Sequence, residues 1–294
     1  MQFPNLNTWL LAIRPKTLWA AVAPVLMGAA MASADGKSHW LSAAAALLGA
    51  MLIQIGTNFA NDYFDYLHGA DTNERLGPTR ATQAGLVKPE TMKKAFILTF
   101  VLAFLIGLYL IWRGGWPILA VGLLSILFGV LYTGGPYPLG YNGLGDIFVL
   151  IFFGPVAVGG TYYVQALQIN SIVLLAGLAP GLISVALLTV NNLRDINTDR
   201  KSGKRTLAVR FGTTFARLEY LSCLLIACLL PIALSVLNGG NYYSMITIGV
   251  LLFAIPAIRT VFRESGSPVL NETLARTGKM LLLYSILFSI GWVM

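Results

Sequence analysis

Six of the chain's 12 Asp and Glu fall in two short segments. The first reads Asn58-Phe-Ala-Asn61-Asp62-Tyr-Phe-Asp65, followed by Gly69-Ala-Asp71 and Glu74; the second reads Asn191-Asn192-Leu-Arg194-Asp195-Ile-Asn-Thr-Asp199. On a helix, spacings of three and four residues place Asn58, Asn61, Asp62 and Asp65 on one face, and Asp195 and Asp199 one turn apart with Asn191 or Asn192 a turn earlier. Like charges stacked this way repel unless a cation lies between them. A dense set of hard oxygen ligands suits Mg²⁺, which favours carboxylates, waters and phosphate oxygens. Asn58, Asn61, Asp62, Asp65, Asp71, Asn191, Asn192, Asp195 and Asp199 are therefore the candidate metal ligands. Asp62, Asp65, Asp195 and Asp199 form the catalytic core of that set. The bland alternative is two ordinary solvated helix ends, but carboxylates at a membrane edge are expensive and usually functional.

Basic residues follow each acidic segment. Arg75 and Arg80 flank Leu-Gly-Pro-Thr, while Arg194 lies inside the second segment and Arg200, Lys201, Lys204 and Arg205 follow it. Guanidinium and ammonium groups would take the outer oxygens of a diphosphate while metal ions bridge the inner ones. Arg75, Arg80, Arg194, Lys204 and Arg205 are the candidates for that role. Arg200 and Lys201 read equally well as charges that set membrane topology.

These segments need elements to carry them, and the composition says which. Hydrophobic residues make up 56% of the chain and charged residues 11%, against about a quarter charged in a soluble domain. Apolar runs of bilayer-crossing length recur along the sequence. Nine spans are expected, at 17–34, 40–61, 95–112, 116–133, 146–165, 172–192, 215–237, 243–261 and 276–294. The fold class is thus all-α, a polytopic membrane helical bundle, read as one integral-membrane domain over residues 1–294. The first span, ending near Ala32-Ser33-Ala34, superficially resembles a signal peptide, but it is long and eight further spans follow. Of the 20 Lys and Arg, only Lys37 and Arg113 fall on one side of this arrangement. The bias places the N-terminus and both acidic segments in the cytoplasm and the C-terminus opposite. The net charge of +8 therefore reports topology, and the partners it implies are membrane lipids rather than nucleic acid. Cys223 and Cys228 lie inside an apolar span and read as small core residues. An apolar span, an Asn-rich turn, paired Asp and a basic loop occur twice, roughly 130 residues apart. That is either chance or a pseudo-duplicated bundle.

Asn61-Asp62-x-x-Asp65 with Asp71 downstream, together with Asp195-x-x-x-Asp199, resembles the UbiA superfamily of intramembrane prenyltransferases across essentially the whole chain. Arg14-Pro15-Lys16-Thr17, the run Asn-Asp-Tyr-Phe-Asp-Tyr-x-x-Gly-Ala-Asp and Asn191–Asp199 are similar to its 1,4-dihydroxy-2-naphthoate branch, which serves menaquinone synthesis. The 4-hydroxybenzoate branch carries further acids just after the second motif, where this chain has Arg200-Lys201-Ser202-Gly203. The resemblance implies a bacterial inner-membrane enzyme facing the cytoplasm. Its substrates would be a polyprenyl diphosphate and an aromatic acid acceptor, and its cofactor Mg²⁺. Metal ions and basic groups would stabilise the leaving diphosphate. The naphthoate ring would attack the allylic cation with loss of CO₂, in a dry cavity that the tail enters from the bilayer.

Several residues stay open to two readings. Lys16 either binds the acceptor's carboxylate or snorkels to the surface. Tyr132, which opens Tyr132-Thr-Gly-Gly-Pro-Tyr-Pro138 with Tyr141 and Asp146 beyond, either walls the acceptor site or anchors an interfacial turn. His68 is a proton acceptor or a loop residue. Gly140-x-x-Gly143-x-Gly145 lacks the spacing and strand–helix context of a dinucleotide fingerprint, and Ser202-Gly-Lys-Arg205 lacks those of a Walker loop. A secondary transporter also builds ion sites in repeated helical bundles, but it places its acids near the midplane. A non-catalytic scaffold would not require both acidic motifs.

Overall fold

Leucine, isoleucine, valine, alanine and phenylalanine runs in lipid leave the backbone no partner but itself, so each run closes its own hydrogen bonds as a helix. The computed structural model describes residues 5–70, 75–238 and 242–294. Among these residues all regular structure is helical: α1 Leu6–Ile13, α2 Trp19–Ala34, α3 Trp40–Leu67, α4 Pro89–Gly114, α5 Trp116–Leu131, α6 Gly145–Ile151, α7 Ala157–Ala166, α8 Ser171–Lys201, α9 Leu207–Leu237, α10 Val250–Arg263 and α11 Leu270–Val293. Side chains cap the long helices where they start. His39 Nδ1 accepts from the Ser42 N–H ahead of α3, and Asn170 Oδ1 accepts from the Val173 N–H ahead of α8.

Seven of the resulting segments are long and apolar enough to cross a membrane, counting Gly145–Ala166 and Tyr243–Arg263 each as one. The pair Leu6–Thr17 and Trp19–Ala34, bent by 50°, makes an eighth if taken together. The protein is a multi-pass membrane protein. A helix occupies each of the nine expected spans, and several run past the expected ends: α3 to Leu67, α4 from Pro89, α8 to Lys201 and α11 from Leu270. The fourth, α5, has only 16 residues, about 24 Å at 1.5 Å per residue, so it falls short of the hydrocarbon thickness. The seventh begins at Leu207 rather than 215, because Thr206 caps the helix at Val209 and the chain kinks at Gly212 (φ 83°) before continuing.

The larger core joins α2, α7, α8, α9, α10 and α11, and a smaller one joins α1, α3, α4 and the segment around Ala81 and Val87. Two glycines allow close approaches between helices. A Cβ on Gly28 of α2 would lie 2.5 Å from the Val158 carbonyl of α7, and one on Gly181 of α8 would lie 2.5 Å from the Leu150 carbonyl of α6. Between α6 and α7 the helix widens to π geometry over Phe152–Val156, where Pro155 has no N–H and Gly154 leaves helical angles. On the side away from the acidic motifs, Trp40, Trp112, Trp116, Tyr242 and Tyr243 are exposed, an aromatic belt of the kind found at membrane interfaces. On that side Arg113 Nε and Nη2 donate to the carbonyls of Val164 and Gln165 at the end of α7, a favourable position for a cation.

Candidate active site

Both acidic segments ride on helices that outlast the bilayer. α3 has 28 residues and α8 has 31, roughly 42 and 46 Å of helix against about 30 Å of hydrocarbon. The surplus turns bring the motifs to one end of the bundle around a cavity of about 430 Å³. Its polar end is lined by Asn58, Asn61, Asp65, Arg75, Arg80, Asn191, Asn192, Asp195, Asp199 and Lys204. Beyond them the wall turns apolar and small, through Ala46, Gly49 and Ala50 of α3, Gly107 of α4, Gly122 of α5 and Gly160 of α7. The rings of Phe128, Phe148 and Phe152 pack together along it, with Phe128 and Phe148 centroids 4.6 Å apart.

Asp65 is the centre of the polar end. It is 1% exposed. Its Oδ2 accepts from Arg80 Nη2 at 2.8 Å, and its Oδ1 accepts from the Tyr141 hydroxyl at 2.6 Å and from Lys204 Nζ at 3.2 Å. Lys204 Nζ also sits 4.4 Å above the Tyr141 ring, a cation–π contact. One carboxylate thus gathers cations from the loops after both motifs. Asp199 lies within reach of the charges of Lys204, Asp195, Asp65 and Arg75. Asn61 Oδ1 accepts from the Thr133 hydroxyl at 2.8 Å. Asn58 faces the cavity but spends its donors on α1 and the turn after it, giving Nδ2 to the Ile13 carbonyl and the Thr17 hydroxyl.

Four expected residues are placed elsewhere. Asp62 is buried away from the cavity, and its two oxygens accept from the backbone N–H of Ala81 and Thr82 at 3.0 and 2.9 Å. Arg194, 1% exposed, is turned inward. Its Nε and Nη2 hold both oxygens of Asp195, Nη2 also reaches Asn191 Oδ1, and Nη1 reaches Asn271 Oδ1. Arg205 and Lys16 are exposed and do not line the cavity. Arg14 lines it in place of Lys16, since the left-handed conformation at Arg14 (φ 54°) ends α1 there. Asp71 lies outside the described residues. His68 is exposed and touches the Tyr141 ring edge-on. Tyr132 does line the cavity. Its ring fits only against glycine, because a Cβ on Gly140 would lie 2.9 Å from its Cε1 and one on Gly145 2.9 Å from its hydroxyl.

Residues 21–273, with both acidic motifs and nearly all of the cavity wall, match the UbiA prenyltransferase family. The chain belongs to that family. Similar to it are the 1,4-dihydroxy-2-naphthoate octaprenyltransferase of Escherichia coli, 40% identical over 99% of this chain and 96% of that one, and the protein of the same description from Mycobacterium tuberculosis, 36% identical over 92% and 96%. A solved UbiA homolog from Archaeoglobus fulgidus, bound to GPP and Mg²⁺, matches at a TM-score of 0.66 over 96% of this chain and 99% of that one. At 14% identity the likeness is one of fold. Membership sets aside the transporter and scaffold readings of this UbiA-family protein.

The donors present fit Mg²⁺. Asp65, Asp195, Asp199, Asn61 and Asn192 offer hard oxygens on two facing helices, beside enough space for phosphate and water. Among the described residues no three acids stand close enough to cage an ion on their own. Mg²⁺ is commonly held this way, by one or two carboxylates, waters and substrate phosphates.

Proposed function

We propose that this protein transfers a polyprenyl chain from an all-trans polyprenyl diphosphate to 1,4-dihydroxy-2-naphthoate, releasing diphosphate and CO₂ and yielding demethylmenaquinol. The observation that carries the reading is the single cavity that joins a cluster of acids and cations to a long apolar wall, matching the two ends of such a donor. The names of the relatives at 36 and 40% identity support the acceptor. The Asn61, Asp65, Asp195 and Asp199 faces hold Mg²⁺, which supplies charge neutralisation for the leaving group. Arg75, Arg80 and Lys204 take the outer phosphate oxygens. Contacts with Asp65 fix Arg80 and Lys204, and a hydrogen bond from Nε to the Pro78 carbonyl holds Arg75, before substrate arrives, so little reorganisation accompanies charge separation. The allylic C–O bond breaks with its electron pair leaving on the diphosphate. The apolar wall keeps water from the cation, and the rings of Phe128, Phe148 and Phe152 offer it electron-rich faces. The naphthoate carbon bearing the carboxylate forms the new C–C bond, and loss of CO₂ restores the aromatic ring. Arg14 and Tyr132 line the acceptor's side.

The two acceptors of this chemistry separate cleanly. 4-Hydroxybenzoate keeps its carboxylate and is alkylated beside the hydroxyl, so a pocket built for the naphthoate holds it wrongly. With purified protein, Mg²⁺ and a labelled polyprenyl diphosphate, CO₂ release is expected in step with prenylated naphthoquinol. Efficient transfer to 4-hydroxybenzoate with no naphthoate turnover overturns the acceptor assignment.

The reading also includes one integral-membrane domain over 1–294, nine spans, a bacterial inner-membrane location and a cytoplasmic active site. The segregation of all Lys and Arg except Lys37 and Arg113 supports the cytoplasmic placement of the site. Reporters inserted at 66–94 and 193–214 are expected to respond as cytoplasmic, and one at the C-terminus as periplasmic. A cytoplasmic C-terminus makes the span count wrong by an odd number.

A further inference from the structure

We propose that Asn271 is a positioning residue that latches the segment 75–82 onto the second acidic motif and so sets the diphosphate site. Asn271 stands at the start of α11. Its Nδ2 donates to the Leu76 carbonyl at 2.8 Å, and its Oδ1 accepts from Arg194 Nη1 at 2.8 Å. Arg194 in turn clamps both oxygens of Asp195. The segment lies directly on that guanidinium, since a Cβ on Gly77 would fall 2.7 Å from Arg194 Nη2. At its other end, Arg80 reaches Asp65, and the Ala81 and Thr82 N–H groups reach Asp62. Residues 75–82 therefore strap the two motifs together, and Asn271 supplies the fastening at the second. The same strap carries Arg75 and Arg80 into the cavity wall.

The carboxamide meets both partners, with its N–H donating to the Leu76 carbonyl and its oxygen accepting from Arg194. Aspartate keeps an acceptor for Arg194 but loses the donor to Leu76 and sets a charge against its carbonyl. Alanine loses both. Asn271 does not line the cavity, so it acts through Arg194, Asp195 and Arg75 rather than on substrate. The inference rests on the reading of that face as the diphosphate site.

The test uses the full-length protein in lipid nanodiscs with Mg²⁺, a polyprenyl diphosphate and the naphthoate. Rates are measured against each substrate, and hydrogen exchange is followed at 75–82. Asn271→Ala removes one neutral and one charge-assisted hydrogen bond, so the diphosphate KM is expected to rise about tenfold. The naphthoate KM stays at the wild-type value and exchange at 75–82 speeds up. Asn271→Asp is expected to speed exchange while raising the diphosphate KM less, and it carries the test if the alanine variant fails to fold. A diphosphate KM unchanged in the folded variants, or a fall in kcat alone, overturns the latch. Asp195→Asn is run in parallel. Its inactivity beside normal Asn271 variants removes the latch and leaves the site, whereas full activity in Asp195→Asn removes the site itself.

Discussion

EDTA is expected to stop prenyl transfer and added Mg²⁺ to restore it, with Asp65→Asn and Asp199→Asn each lowering kcat/KM for the diphosphate by about 10²–10³-fold, the cost of removing one preorganised electrostatic partner. Asparagine preserves the shape of either side chain and deletes its charge. At Asp65 that charge holds Arg80 and Lys204 in the cavity, so its loss frees two cations as well as weakening metal binding. At Asp199 the neighbouring charges include two further carboxylates, and removing one acid lowers the negative potential that attracts a divalent ion. Asp199→Asn therefore needs more Mg²⁺ for half-maximal rate. Steady-state rates over a Mg²⁺ series check both effects. Wild-type kcat/KM in both variants, or turnover in EDTA, sinks the metal site.

The helices and the two motifs were legible because their signals are local. Apolar runs specify spans, and spacings of three and four residues put Asp65 and Asp199 on helix faces without knowledge of any neighbour. What faces each turn was not legible. Asp62 and Asp65 are only about 60° apart around α3, yet one meets the cavity and the other the turn at Ala81. Which is which depends on the path of a loop that starts beyond Leu67. Arg14 escaped notice in favour of Lys16 because a left-handed arginine leaves no mark in sequence, such conformations being uncommon outside glycine. Asn271 escaped because its partners, Leu76 and Arg194, are distant in sequence and nothing about an isolated Asn announces them. Their place beside the motif groups Arg194 and Arg205 with the phosphate binders. Burial separates them, since Arg194 is committed to Asp195, Asn191 and Asn271 inside the fold and Arg205 is exposed.

Asp62 is the residue for which the two lines of reasoning make opposite forecasts. As a metal ligand it would tolerate Asn as poorly as Asp65 does, because the lost quantity would be charge. As the anchor of the strap it needs only acceptors. Its partners are the N–H groups of Ala81 and Thr82, both buried. Asp62→Ala leaves two buried donors without acceptors, at about 1–3 kcal/mol each. The variant is expected to melt at a clearly lower temperature. It also releases Arg80 from its register with Asp65, so activity falls by about tenfold or more, a loss equivalent to about 1.4 kcal/mol that extra Mg²⁺ does not restore. Asp62→Asn keeps one carbonyl oxygen and one of the two bonds, so its losses in Tm and rate are expected to be roughly half those of alanine on the free-energy scale. Thermal unfolding and Mg²⁺ titration of the pair decide the matter. A variant Asp62→Asn with wild-type Tm, a rate as low as that of Asp65→Asn and a raised Mg²⁺ requirement would return Asp62 to the metal. The graded pattern fixes it as the point where the first motif holds its own covering strap.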